Sequence, residues 1–162
     1  MKLEFVSSRR LAMPIMTYPG IELIQKTVYD AVTNGTVHAD AICALAQNTP
    51  SDAATVIMDL TVEAEAFGAP LKFFENEVPS VAGRLLHNIQ DVEALAVPDL
   101  TKGRTPEYLK ANAIAVSRIS DRPVLAGCIG PYSLASRLYD MSEPMMAIYI
   151  DPDLVKKLLD KS

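Results

Sequence analysis

The sequence predicts an α/β fold with parallel strands, about half of a TIM-type (β/α) barrel, in a single domain spanning residues 1–162. Three observations carry that expectation. Two short apolar runs, Ala53–Met58 and Pro123–Gly127, lack polar alternation, as do strands covered on both faces of a parallel sheet. The segments between them place apolar residues three and four apart, so helices would link the strands through right-handed crossovers. A doubly wound sheet usually carries a glycine-rich phosphate turn after its first strand, and the chain has neither GxGxxG nor GxxxxGK[ST]. A closed barrel needs ~250 residues, so about four strand–helix units in this length would supply roughly half of one.

The elements follow in order. After Pro19-Gly20, residues Ile21, Ile24, Val28, Ala31 and Val32 form one helical face, with Asn34-Gly35 as a left-handed stop. A second helix is expected from about Ala39 to Gln47, broken at Thr49-Pro50. The strand at Ala53–Met58 runs directly into Asp59. Thr61–Phe67 reads as a helix stopped by Gly68, and Leu71–Phe74 as a further short strand. From Pro106 to Ser120, Leu109, Ala113 and Val116 line one face of another helix. Ser142 and Asp151, each shortly before a proline, suit the N-caps of two closing helices. The last has Leu154, Val155, Leu158 and Leu159 on one face and lacks a glycine cap, which reads as an interrupted pattern.

Composition narrows the function classes. An apolar content of 49% with 22% charged residues supports one core and argues against disorder. The net charge is -5 and Lys and Arg are scattered, so no basic stripe exists for nucleic acid. The first residues carry Lys2, Arg9 and Arg10 without the apolar stretch of a signal peptide or membrane span, and a cytoplasmic protein is expected. Cys43 and Cys128 lie too far apart for a CxxC pair and read as reduced thiols.

In parallel α/β folds, chemistry collects at the carboxyl ends of strands, which puts Asp59 and Cys128 in position to face a pocket. Asp59 reads equally as an N-cap of the helix that follows, and Cys128 as a small buried hydrophobe. Glu63 and Glu65 are two apart on a helix and point to different sides, one of them into solvent. His38 and His87 lack the HExxH arrangement and read as surface or cap residues, so no metal site is assigned. Met13, Met16, Met58, Met141, Met145 and Met146 either line an apolar pocket or fill the core.

Four stretches carry a resemblance: RLAMPIMTYPGIELI (Arg10–Ile24), VIMDLTVEAEAFGAP (Val56–Pro70), VPSVAGRL (Val78–Leu85) and RPVLAGCIGPYSLASRLYDMSE (Arg122–Glu143). They resemble the superfamily of uroporphyrinogen decarboxylase and the methylcobamide:coenzyme M methyltransferases, in order and over nearly the whole chain. The resemblance implies a TIM barrel of which this chain is the N-terminal half. In the methyltransferase branch it implies a zinc ion, held by His and Cys ligands of the C-terminal half, that activates a thiol to accept a methyl group from a corrinoid. Methylcobamide would then be a substrate, and zinc would enter only with that other half.

Asp59 matches the aspartate that hydrogen-bonds pyrrole N–H groups in the decarboxylases, which makes it the catalytic candidate. Thr17 and Ile21 stand where decarboxylases have N-terminal arginines, and Arg137 where they have an active-site tyrosine. With Gly127, Cys128 and Gly130 of the GCIGP loop, Thr17 and Arg137 form the candidate substrate-binding set. An octa-anionic porphyrinogen needs several fixed cations, and Arg84 with Arg137 is a thin supply, so the methyltransferase branch fits better.

The leading expectation is the N-terminal portion of a corrinoid-linked methyltransferase, inactive without its C-terminal half. Its partner would be that half or a corrinoid protein, with a homo-oligomer as a further way to cover open strand edges. The alternatives are a uroporphyrinogen decarboxylase fragment, a truncated gene product, and a non-catalytic tetrapyrrole- or corrinoid-binding or assembly protein.

Overall fold

The computed structural model describes residues 10–16, 18–139 and 143–162. Thr17, Met141 and Ser142 fall outside them. The expected first helix is two, α1 (Tyr18–Leu23) and α2 (Val28–Thr33). Gln25 breaks the chain by taking a positive φ of 55°. Thr27 restarts it through a capping box: its hydroxyl accepts from the Asp30 N–H at 3.0 Å, and the Asp30 carboxylate accepts from the Thr27 N–H at 3.2 Å. The apolar periodicity survives the break, since Ile21, Val28, Ala31 and Val32 are all buried.

Asn34 is not a left-handed stop. Its backbone is extended, and it ends α2 while its side chain caps α3 (Gly35–Asn48), accepting from the N–H groups of Thr36 and Val37. Gly35 serves close approach. A Cβ there would run into the carbonyl oxygen of Glu107, whose carboxylate accepts the Gly35 N–H at 2.6 Å. This lets α3 lie against α6 (Thr105–Arg118). The contact also reverses the expected face of α6. Ala111 and Ala115 are buried, whereas Leu109 and Val116 are exposed. Both faces are apolar, and the closeness of α3 selects the side with the smaller residues.

Strand β1 (Ala54–Thr55) pairs in parallel with β4 (Val124–Leu125), Ala54 opposite Val124 and Thr55 opposite Leu125. Helix α6 lies on the crossover between them. The chain is thus a mixed α/β protein with parallel strands. Where about four strand–helix units were expected, the described residues hold one parallel pair. The two-residue strand β2 (Leu71–Lys72) pairs antiparallel with β3 (Ser80–Val81) as a separate hairpin. Strand β4 is only half-buried, and Ala126 and Gly127 beyond it are exposed, because no further element covers that side among the described residues.

Helix α4 (Val62–Ala66) is stopped as expected by Gly68, at φ 99°. The short α5 (Ile89–Ala94) has too few apolar residues to show a period. Helices α7 (Pro131–Tyr139), α8 (Glu143–Ile150) and α9 (Pro152–Lys161) complete the described chain, with Asp151 capping α9 as expected. A cluster around Leu86, Val92, Leu134, Leu138 and Leu158 joins α4, α5, α7 and α9, while separate clusters hold α1–α3 and the α3–α6–β1 contact. Among the described residues no helix is long and apolar enough to cross a membrane.

Candidate functional site

A cavity of about 270 Å³ opens at the carboxyl ends of β1 and β4. Met58 and Asp59 reach it from β1, Gly127 and Cys128 from β4, Glu63 from α4, and Tyr108, Leu109 and Asn112 from α6. Its walls are mainly apolar and its polar groups few, which suits a small ligand with an apolar body.

Asp59 anchors a buried polar network. Its Oδ1 accepts from the Thr61 N–H at 2.9 Å and from the Thr61 hydroxyl at 2.7 Å. Its Oδ2 accepts from Arg104 Nη1 at 2.6 Å and from the Tyr108 hydroxyl at 3.5 Å. Its side chain is fully buried. Asp59 is not the N-cap of α4, which is Thr61; its carboxylate instead closes the turn ahead of the helix, and the residue belongs to the cavity lining with its side chain buried behind the surface. Its acceptor capacity, however, is taken up by donors of this chain.

Arg104 is the counterpart that the sequence reading missed. Its Nε donates to Glu65 Oε2 at 2.6 Å, its Nη2 to Thr61 Oγ1 at 2.9 Å, and its guanidinium lies 5.1 Å from the Phe73 ring centre. Burial opposes its charge, but attraction to Asp59 and Glu65 outweighs that and raises its pKa above the ordinary guanidinium value. A signal was present: an arginine directly before a helix opening Thr105-Pro106-Glu107 is unfavourable for the helix dipole, so something else must hold it. Burial, and then the nearby Asp59 charge, drives the Tyr108 hydroxyl pKa upward, so it stays protonated as a donor.

His38 is fully buried, contrary to the expected surface position. Its Nε2 accepts the Ile57 N–H at 2.9 Å, and its ring meets Tyr108 edge-on with centres 4.8 Å apart. Burial lowers its pKa to about 4, with Asp59 opposing the shift. Its Nδ1 has no hydrogen-bond partner. His87 is exposed. Glu63 and Glu65 do point apart, but neither is simply solvated: Glu63 Oε1 accepts the Ile129 N–H at 3.0 Å, and Glu65 holds Arg104.

The structure brings Asp59, Gly127 and Cys128 to one cavity. Cys128 is an exposed thiol rather than a buried hydrophobe. Of the methionines, Met58 lines this cavity, whereas Met13 and Met146 are exposed. Gly130 is exposed and lines neither this cavity nor its neighbour. Arg137 lines that second cavity, about 490 Å³, together with Thr61, Ser80, Gly83, Arg84 and Ser136. Thr17 lies outside the described residues, and Ile21 is 2% exposed within the core. Among the described residues no three His, Cys, Asp or Glu side chains converge as a metal site.

A parallel β–α–β crossover with a cavity at its strand ends defines an α/β protein of the class that works at the carboxyl edge of its sheet. The sequence profile of the uroporphyrinogen decarboxylase (URO-D) family matches residues 6–162, and the chain belongs to that family. It is 34% identical over 89 residues to the methylcobamide:CoM methyltransferase MtbA of Methanosarcina acetivorans, covering 54% of this chain and 26% of that protein. To the methylcobamide:CoM methyltransferase MtbA of Methanosarcina mazei it is 32% identical over 111 residues, covering 67% and 32%. The solved structure of a methyltransferase from Methanosarcina mazei superposes with a TM-score of 0.84 at 26% identity, over 95% of this chain and 47% of that one. The chain therefore spans about a quarter to a third of these curated relatives and about half of that structure.

Proposed function

We propose that residues 1–162 form the N-terminal part of a (β/α) barrel and supply one side of a methyltransferase site, where a methyl group passes from a methylcobamide to a thiol. The observation that carries this reading is a cavity at the ends of two parallel strands in a chain 32–34% identical to methylcobamide:CoM methyltransferases over the matched segments. In the transfer the cobalt–carbon bond breaks with its electron pair left on cobalt, a sulfur–carbon bond forms, and the thiol gives up its proton. Gly127 and Cys128 would shape the cavity mouth. Asp59 and Arg104, committed to each other, position the wall that Tyr108 and Asn112 present. Among the described residues no His, Cys, Asp or Glu cluster would hold zinc, and in this reading the zinc ligands belong to the complementary half. The partners in this reading are that half and a corrinoid protein, in the cytosol.

The test combines this chain with the separately produced C-terminal portion of the Methanosarcina mazei relative and follows loss of methylcobalamin absorbance in the presence of a thiol. Turnover is expected from the mixture and from neither piece alone. A mixture that neither binds nor demethylates methylcobalamin would overturn the reading.

A further inference from the structure

We propose that the first cavity binds a small primary alkylammonium group held by Glu63; resting on the methyl-transfer reading above, the thiol it selects is then an aminothiol. The lining of this cavity holds two carboxylates, Asp59 and Glu63, and no lysine or arginine. The two are not equivalent. Asp59 is compensated by Arg104 at 2.6 Å, and its oxygens already accept from Thr61, Arg104 and Tyr108. Glu63 spends only Oε1, on the Ile129 N–H at 3.0 Å, and among the described residues Oε2 accepts no hydrogen bond. A half-buried carboxylate that shares its cavity with the apolar side chains of Met58, Val62 and Leu109 gains most from a cation.

The remaining polar groups of the lining fit the same ligand. Asn112 donates one N–H to the Tyr108 carbonyl at 2.9 Å, which leaves its carboxamide oxygen open, and the Thr105 hydroxyl has no partner among the described residues. With Glu63 Oε2 these make three acceptors on one cavity, and a primary ammonium brings three N–H donors and no acceptor. An anionic ligand would lie beside Glu63 with no cation in the lining, and a neutral one would leave the charge unpaired. The Tyr108 hydroxyl, raised in pKa by burial first and by Asp59 next, also feels the Glu63 charge, so that charge acts inside the cavity. A plainer account makes Glu63 an anchor for the Ile129 N–H and a partner for the N-terminus of α4. A glutamine would hold that N–H as well, and a helix of 5 residues offers little dipole, so the account leaves the charge unexplained.

The test follows the backbone amide resonances of the full chain at neutral pH and low salt, under a phosphine reductant, during titration with three thiols of one carbon chain. Cysteamine is the cation, 2-mercaptoethanol the neutral match and 2-mercaptoethanesulfonate the anion. Cysteamine should give saturable shifts at Gly127 and at Ile129, whose N–H reports on Glu63 directly. Its affinity should exceed that of mercaptoethanol by about tenfold or more, with the sulfonate weakest, and should fall as salt rises while that of mercaptoethanol holds. Glu63→Gln keeps an acceptor for Ile129 and should weaken cysteamine binding by about ten- to a hundredfold, to the level of mercaptoethanol. Glu93→Gln, at an exposed ion pair with Lys157, should leave it unchanged. If Glu63→Gln does not fold, the salt dependence of the unaltered chain decides, and cysteamine binding indifferent to salt sinks the idea. No saturable shift with cysteamine, a sulfonate bound as well or better, or full cysteamine affinity in the Glu63 variant would overturn the proposal. No corrinoid is present in this titration, so its outcome is separate from that of the methyl-transfer assay.

Discussion

The floor of the first cavity and the α7–α9 layer are built on opposite principles. Around Asp59 the interior is polar, and position is fixed by directed bonds: Arg104 alone reaches Asp59, Glu65, Thr61 and the Val32 carbonyl. In the other layer Leu134, Leu138 and Leu158 bury apolar side chains, and charged groups stay at the surface and at helix ends, as where the Lys161 ammonium donates to the carbonyls of Val92, Glu93 and Leu95. Apolar packing tolerates small shifts, whereas a buried ion pair loses much of its value when one partner moves. A segment that must hold a cavity wall in place has reason to use the second kind of interior.

Four measurements test this contrast. The largest loss should follow Asp59→Ala, which leaves a buried guanidinium short of a partner: about 3–5 kcal/mol by urea unfolding. A loss no greater than that of an exposed ion-pair variant, about 1 kcal/mol or less, would mean that the network contributes no more than a surface pair. Leu138→Ala, in the apolar layer, should cost about 3–4 kcal/mol through the cavity it opens, without altering ligand binding at the first cavity.

The third concerns pH. The folded pKa of His38, about 4, lies below its unfolded value near 6.5, so the unfolded chain binds the extra proton first. Stability from keeping this ring neutral is complete above about pH 6.5 and drains as pH falls through about 4, by on the order of 3 kcal/mol. His38→Gln should flatten that part of the pH profile relative to the unaltered protein, while carboxylate titration stays common to both. An unchanged profile would place the acid sensitivity elsewhere. The smallest effect is expected from Gly35→Ala, where the new methyl meets the Glu107 carbonyl and forces α3 from α6, at about 1–3 kcal/mol.

The same division explains what the sequence revealed. Apolar runs and 3.6-residue spacing placed β1, β4, α3, α6 and α9, because burial writes itself into periodicity. Asp59, Gly127 and Cys128 converge because all three follow strands, a placement readable from chain order. Arg104 left only the hint of a cation ahead of a helix start and His38 left none: each is held by partners 19 to 72 positions away, and no local spacing names a partner that the tertiary fold supplies. The α1–α2 break was present in Thr27-Val28-Tyr29-Asp30, a capping signature hidden by an apolar pattern that continues across it. The face of α6 failed for another reason, since both sides are apolar and only the close approach at Gly35 chooses between them.

The Asp59–Arg104–Glu65 cluster sets two carboxylates against one guanidinium, and with the Glu63 carboxylate that lines the first cavity the balance beneath it is a net negative charge. Surrounded by apolar walls, that charge is poorly screened, and its potential extends into the space above it. On this balance of charge a neutral ligand, or one that gathers positive charge as it reacts, is expected to enter more readily than a free anion.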